Sequence, residues 1–566
     1  MDWNELYNLG LGLFEKATAF FDEALEMKPD PEACYNQGVA LGNLGRWEEA
    51  IASYDKTLEI KPSYHAAWNN RGVALGNLAR FEEAIASYGK SVEIKPDFHL
   101  AWNNRGVALN DLGRFEAALA DYDKTLEFKP DYYDAWSNRG NALSNLGRWE
   151  EAIADYDKAL EIQPDFHKSW NNRGVALGNL GRFEEAIASY DKALKIQPDF
   201  HLAWNNRGVA LNNLGRFEEA ITSCDKALKI QPDFHLAWYN RGNALGILGR
   251  FEAAITSHDK ALEFQPNYHE AWIQRGTALG ILGKFEAAIT SYDKALEIKP
   301  DDYSAWSNRG VPLYNLGLFE EAIASYDKAL EIKPDLDEAW NNRGPVLVNL
   351  GRFEEAIASY NKALEFKPDK HEAWINRGSA LGNLGRFEEA ISSYDKTLEI
   401  KPDDHEAWNN RGVALGNLGR FEEAIASYDK TLEIKPDLHE AWSNRGLALG
   451  NLGRFEEAIA SYDQTLEIKP DLHEAWSNRG LALNNLGRFE EAIADYDKAL
   501  EIKPDFHLAL YNKACCYSLR SQIDQAIQNL QQAINLNPDK YREMAKTDSD
   551  FDSLRSDTRF QALIQG

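Results

Sequence analysis

The chain reads as all-α, an α-solenoid of helix-turn-helix repeats, and three observations predict it. Tryptophan recurs every 34 residues from Trp68 through Trp476, and proline keeps the same period from Pro62 to Pro538. Each period holds two stretches of helical periodicity, separated by a glycine and closed by the proline. Apolar residues make up 44% of the chain and aromatics 11%, which demands a substantial core and excludes a disordered protein. Extended outward, the period places Cys34 and Leu510 in the tryptophan slot, giving fifteen repeats over residues 31–540.

The elements follow in order. Residues 1–30 hold a recognisable second helix, FEKATAFFDEALEMKP from Phe14 to Pro29, behind a shortened first one, and are expected to form an N-terminal cap. In the repeat from His405 to Leu438, the residues Trp408, Arg411, Gly412, Leu415 and Leu418 share one face of a first helix. Gly419 supplies the left-handed stop. Phe421, Ala424, Ile425, Tyr428 and Leu432 form the apolar face of a second helix, which Pro436 ends. Asp437 is expected to cap the next first helix, with Glu440 completing a capping box. Gly412 and Ala424 predict close helix contact, offsetting the roughly 1 kcal/mol that a mid-helix glycine costs. Pro312 and Pro345 lie inside adjacent first helices, where each removes an internal hydrogen bond, and predict a local irregularity over residues 306–350. After Pro538 the period breaks, and Phe551, Leu554, Phe560, Leu563 and Ile564 predict a capping helix over residues 541–566.

The repeat resembles the tetratricopeptide family, whose 34-residue signature is W-x2-L-G-x2-Y, then A-x3-F, then P. Trp408, Gly412, Leu415, Ala424, Tyr428 and Pro436 fill its slots, and most units repeat them. Arg411 departs, standing where the signature has Leu; its stem is expected to pack and its head to pair with a second-helix carboxylate such as Asp429. The resemblance implies a right-handed superhelix whose first helices line a concave side.

A net charge of −28 makes nucleic acid and anionic membrane unsuitable partners. Cys34, Cys224, Cys515 and Cys516 show neither zinc nor redox spacing, and no disulfide framework is expected. No apolar run approaches a membrane span, and Asp2 and Glu5 stand where a secretory signal has Lys or Arg, so a cytoplasmic protein is expected. YGKS at Tyr88 to Ser91 fails as a phosphate loop, because Ala84 replaces the required glycine. Eleven of twelve histidines occupy one slot, three residues before the tryptophan, read as a solvent-edge helix start; only His258 lies elsewhere. Repeats about 8 to 10 Å apart cannot share an ion between neighbouring histidines. Acidic pairs such as Glu422 and Glu423 suit the start of a second helix. No metal, cofactor or catalytic activity is expected.

What remains is the face of the first helix that does not pack, the stripe Glu406, Asn410, Val413 and Asn417. Asn410 is the second asparagine of the recurring WNNRG. Its counterparts are Asn36, Asn70, Asn104, Asn138, Asn172, Asn206, Asn240, Gln274, Asn308, Asn342, Asn376, Asn444, Asn478 and Asn512. In the stacked solenoid these amides face the concave groove, where a group that both donates and accepts suits a peptide backbone of any sequence. The arrangement resembles the asparagine ladder in the superhelix of O-linked N-acetylglucosamine transferases, which implies extended polypeptide as ligand; no transferase domain is seen. The alternatives are bonds to neighbouring helices, or recent duplication without divergence. The first asparagine varies, as at Ser137, Tyr239 and Ile375, and reads as a variable groove position. Tyr239, Ile247, Ile273 and Ile281 form an apolar specificity patch. The expected function is a non-catalytic, monomeric scaffold binding extended protein or peptide segments. A structural spacer, a self-assembling rod, or an accessory subunit of an enzyme on another chain are the alternatives.

Overall fold

The computed structural model describes Glu15, Lys16, Thr18, Phe20 and residues 30–565, so the N-terminal cap expected over residues 1–30 lies almost wholly outside the described residues. Each period folds as a 13-residue first helix and a 14-residue second helix, such as His405–Asn417 and Phe421–Ile434, and the described residues contain no strand. Gly419, at φ +74°, makes the turn between them. The chain divides into two compact units, residues 1–284 and 285–566. Among the described residues the first holds seven helix pairs, from Pro31–Asn43 to Phe251–Phe264, followed by the first helix His269–Ile281. The second opens with the second helix Phe285–Ile298 and continues through seven pairs to Ile523–Leu536. It closes with Pro538–Thr547, the tight turn Ser549–Leu554 and Thr558–Gln565; Phe551, Leu554 and Phe560 are buried against Leu510, Tyr511 and Leu530 of the last pair.

The core is a series of inter-helix layers. Leu415, Ala424, Ile425, Tyr428 and Leu432 are buried, and the Tyr428 ring fills the space that Gly412 leaves: a Cβ there would stand 2.6 Å from Tyr428 Cε1. Each tryptophan of the 34-residue period reaches back to the preceding proline, Trp408 Nε1 donating to the Pro402 carbonyl at 3.0 Å. Arg411 lies 5.8 Å from the Trp408 ring centroid and binds two repeats at once. Its Nε donates to Asp395 of the preceding second helix at 2.7 Å and its Nη1 to Ser427 of its own at 2.7 Å. Asp429, its expected partner, pairs instead with Arg445 of the next repeat at 2.7 Å.

Two further expectations are corrected. The first helix His439–Asn451 starts a residue later than a capping box requires, so Leu438 occupies the N-cap and Asp437 bonds no helix amide. Glu440 instead meets His439 Nδ1 at 3.1 Å. A side chain caps a first helix where Asp stands in the N-cap slot itself, as at Asp30, Asp302 and Asp404, the last accepting from Ala407 N at 3.0 Å. The prolines interrupt nothing: Tyr303–Asn315 runs through Pro312 and Asp337–Asn349 through Pro345, each at the usual 13 residues. Packing on both sides holds the helix despite one missing hydrogen bond. The adjustment is local, since Cζ rather than Cε1 of Tyr326 and Tyr360 becomes the atom nearest to Gly310 and Gly344.

Candidate functional site

Small residues set the site. Ala407, Gly412 and Ala414 take the packed side of the first helix, which leaves Glu406, Val413 and Asn417 exposed with Asn410 half-buried between them. Asn417 turns its amide back to the Val413 carbonyl at 2.9 Å, closing the last turn of the helix.

Thirteen of the fifteen amide positions are half-buried; Asn36 and Gln274 are exposed. In the first unit several are joined from repeat to repeat. Asn104 Nδ2 donates to Asn69 Oδ1 at 3.2 Å, Asn206 to Asn171 at 3.1 Å and Asn240 to Asn205 at 2.9 Å. Asn69 and Asn171 donate in turn to Asn70 and Asn172 at 3.0 Å. The first asparagine of WNNRG is therefore not the groove position that its variability suggests. Asn69, Asn103, Asn171 and Asn205 are buried between successive first helices, as are Ser137, Ile273 and Ile375 in the same slot. One residue along a helix is about 100°, enough to turn that side chain into the neighbouring repeat. An amide that gives one N–H and one lone pair to this chain keeps one of each. In the second unit Asn342 and Asn410 accept from Asn341 and Asn409 at 3.3 Å, while Asn341 Oδ1 and Asn409 Oδ1 are buried without a partner.

The four residues of the apolar patch separate. Ile247 and Ile281 are 64% and 60% exposed, whereas Ile273 is buried and Tyr239 packs its ring 4.8 Å from that of Tyr268. The histidine slot is a joint between repeats rather than a solvent edge. His65 packs edge-on to Phe98 at 5.0 Å, His167 to Phe200 at 5.1 Å and His473 to Phe506 at 4.7 Å. Burial there pulls the His65, His99 and His167 imidazoles below their ordinary pKa.

Two groupings escaped sequence reasoning. Cys515, Asp548 and Asp550 bring possible ligand atoms within 4.8 Å of one another, from positions too far apart in sequence to form a motif. Their bonds are those of a turn, Asp548 accepting from Asp550 N at 3.0 Å and from the Tyr511 hydroxyl at 2.8 Å. The other is a cavity holding the buried His258, whose signal was its position outside the histidine slot.

Paired helices repeated in tandem, each presenting one open face, define an α-helical repeat protein. Tetratricopeptide repeat profiles match residues 31–166, 235–268 and 439–506, a second covers 171–233, 273–337 and 341–439, and a third covers 495–528. The chain belongs to the tetratricopeptide repeat family. Comparison with curated proteins finds no match. Among solved structures it is similar to the anaphase-promoting complex (APC/C) hetero-tetramer Cut9–Hcn1, at 16% identity and TM-score 0.38, covering 88% of this chain and 98% of that one. It is also similar to YrrB, described as having an unusual peptide-binding site, at 26% identity and TM-score 0.31 over 33% of this chain and 97% of that one. MamA matches at 27% identity and TM-score 0.28 over 28% of this chain and 94% of that one. Family and fold together make the chain a protein-interaction scaffold. No described helix is long and apolar enough to cross a membrane.

Proposed function

We propose that the scaffold grips extended polypeptide along the open faces of its first helices, lined up as a groove. The observation that carries this reading is the amide at one position of every repeat, half-buried in thirteen of the fifteen, yet retaining unused hydrogen-bonding capacity in the stripe that, in one repeat, holds exposed Val413 and Asn417. Each rung would contribute roughly 0.5–1.5 kcal/mol, so affinity comes from several repeats together. With repeats about 10 Å apart and an extended chain rising roughly 3.3 Å per residue, one rung serves about every third ligand residue. No catalytic step is needed for this work, and all four cysteines are free and buried, which supports the reducing cytoplasm as its place.

The test is affinity capture of partners by the full chain and by the variant N444A/N478A. Asn409 Oδ1, the neighbour that Asn444 would bond, has no partner, so this substitution removes ligand contacts without breaking an inter-repeat amide pair. Partners held by rungs should fall about tenfold or more in the captured fraction. Undiminished capture would remove the ladder from the account.

A further inference from the structure

Departures from the common repeat converge on one place. A cavity of about 390 Å³ opens between the first helices His235–Ile247 and His269–Ile281. Equivalent openings elsewhere have valines at their mid-helix slots, Val73 and Val107 beside Tyr88, with Asn77 and Asp111 exposed in the last turn. Here that polarity is inverted. Ile247 and Ile281 replace the exposed Asn or Asp, Asn243 and Thr277 replace the valines, and His258 replaces the tyrosine.

Two polar atoms in this cavity, Asn243 Oδ1 and His258 Nδ1, are buried without a hydrogen-bond partner, and His258 is only 2% exposed. Asn141, in the same slot three repeats earlier, shows what that oxygen requires. It accepts from the Tyr156 hydroxyl at 2.8 Å and from Asn172 Nδ2 at 2.9 Å. At Asn243 both donors have been exchanged, for His258 and Gln274. The imidazole also lacks the hydroxyl with which a tyrosine in this slot reaches further across the opening. Tyr239, one turn before Asn243 on the same helix, hydrogen-bonds the Asn243 amide and lies with its ring 5.8 Å from that of His258, yet Asn243 Oδ1 keeps no donor; what the site lacks is a second donor-tipped ring, where the tyrosine hydroxyl stands in other repeats.

We infer that this cavity receives a tyrosine or tryptophan side chain of a bound polypeptide, its O–H or indole N–H donating to Asn243 Oδ1 and its ring lying between Ile247 and Ile281. The inference rests on the scaffold reading and assigns one position of its ligand. Burial, and Arg275 nearby, lower the His258 pKa to about 4, so a neutral imidazole faces the incoming ring.

The test uses N-acetyl-tyrosinamide, N-acetyl-tryptophanamide, N-acetyl-phenylalaninamide and N-acetyl-leucinamide in ligand-observed NMR titrations of the full chain. H258Y, which restores the residue that most repeats carry, and N243V, which restores the valine of Val175 and Val209 in the two preceding repeats, are titrated alongside after circular dichroism confirms their fold. The tyrosine and tryptophan probes should bind about threefold or more tighter than the phenylalanine probe, the advantage of one hydrogen bond, with leucine weakest. H258Y should refill the cavity and lose all four, while N243V should keep the aromatic probes but abolish the preference for a donor. Equal affinity for the tyrosine and phenylalanine probes, a leucine preference, no binding at all, or undiminished binding to H258Y would each overturn the assignment. The probes carry no extended backbone, so their binding does not depend on the rungs. Probe binding retained while N444A/N478A leaves partner capture unchanged removes the ladder and keeps the pocket; the opposite pattern removes the pocket alone.

Discussion

At the residue scale, the repeat is governed by a few backbone and packing demands, and its exceptions show their size. Ala79 takes φ +59° at a turn where Gly45, Gly113 and Gly419 stand in other repeats. The left-handed conformation costs a residue with a Cβ about 1–2 kcal/mol, so Ala79→Gly should raise local stability by about 1 kcal/mol, read as slower hydrogen exchange in residues 65–94. Gly412→Ala should do the opposite, losing about 1–3 kcal/mol as its Cβ meets the Tyr428 ring, with exchange quickened in residues 405–434. The need for glycine here was legible in the sequence, as was the structural use of Arg411. Its partner was not, because periodicity locates a side chain on its own helix and says nothing of the repeat before it, where Asp395 lies.

At the scale of the helix, boundaries set by glycine and proline were readable to within a residue or so, and that single residue decided the caps. Asp404→Ala should cost about 1 kcal/mol in the helix His405–Asn417, while Asp437→Ala should leave His439–Asn451 unchanged in hydrogen exchange. The prolines end neither helix, because neighbours on both sides hold the helix through the missing hydrogen bond, a support that the local breaking tendency of proline does not reveal. His258 makes its helix pH-sensitive. Its folded pKa near 4 lies below the ordinary 6.5, so the unfolded chain binds the proton more readily. Its favourable neutral state is fully present above about pH 6.5, and stability falls as pH drops from there to about 4, by at most about 3 kcal/mol. H258Y should flatten that dependence in residues 235–264, measured by hydrogen exchange at pH 7 and pH 4.5; an identical pH response in both chains would contradict the burial of a neutral imidazole.

At the scale of the whole molecule, the all-α class and the succession of helix pairs were legible because one period runs unbroken through most of the chain. The division into two compact units was not, since the period passes residue 284 without a change of composition. The amide row was legible as a row, but its first-unit bonds to neighbouring repeats were not, because an asparagine on a helix face looks the same whether it meets a ligand or another asparagine. The groove is therefore tested most directly by placing p-benzoyl-phenylalanine, one residue at a time, at Val413 on the open stripe and at Lys430 on the exposed side of the second helix, then irradiating the full chain with its captured partners. Partner adducts should form from position 413 and fall to background from position 430. Adducts of equal yield from both, or from position 430 alone, would contradict binding along the first helices.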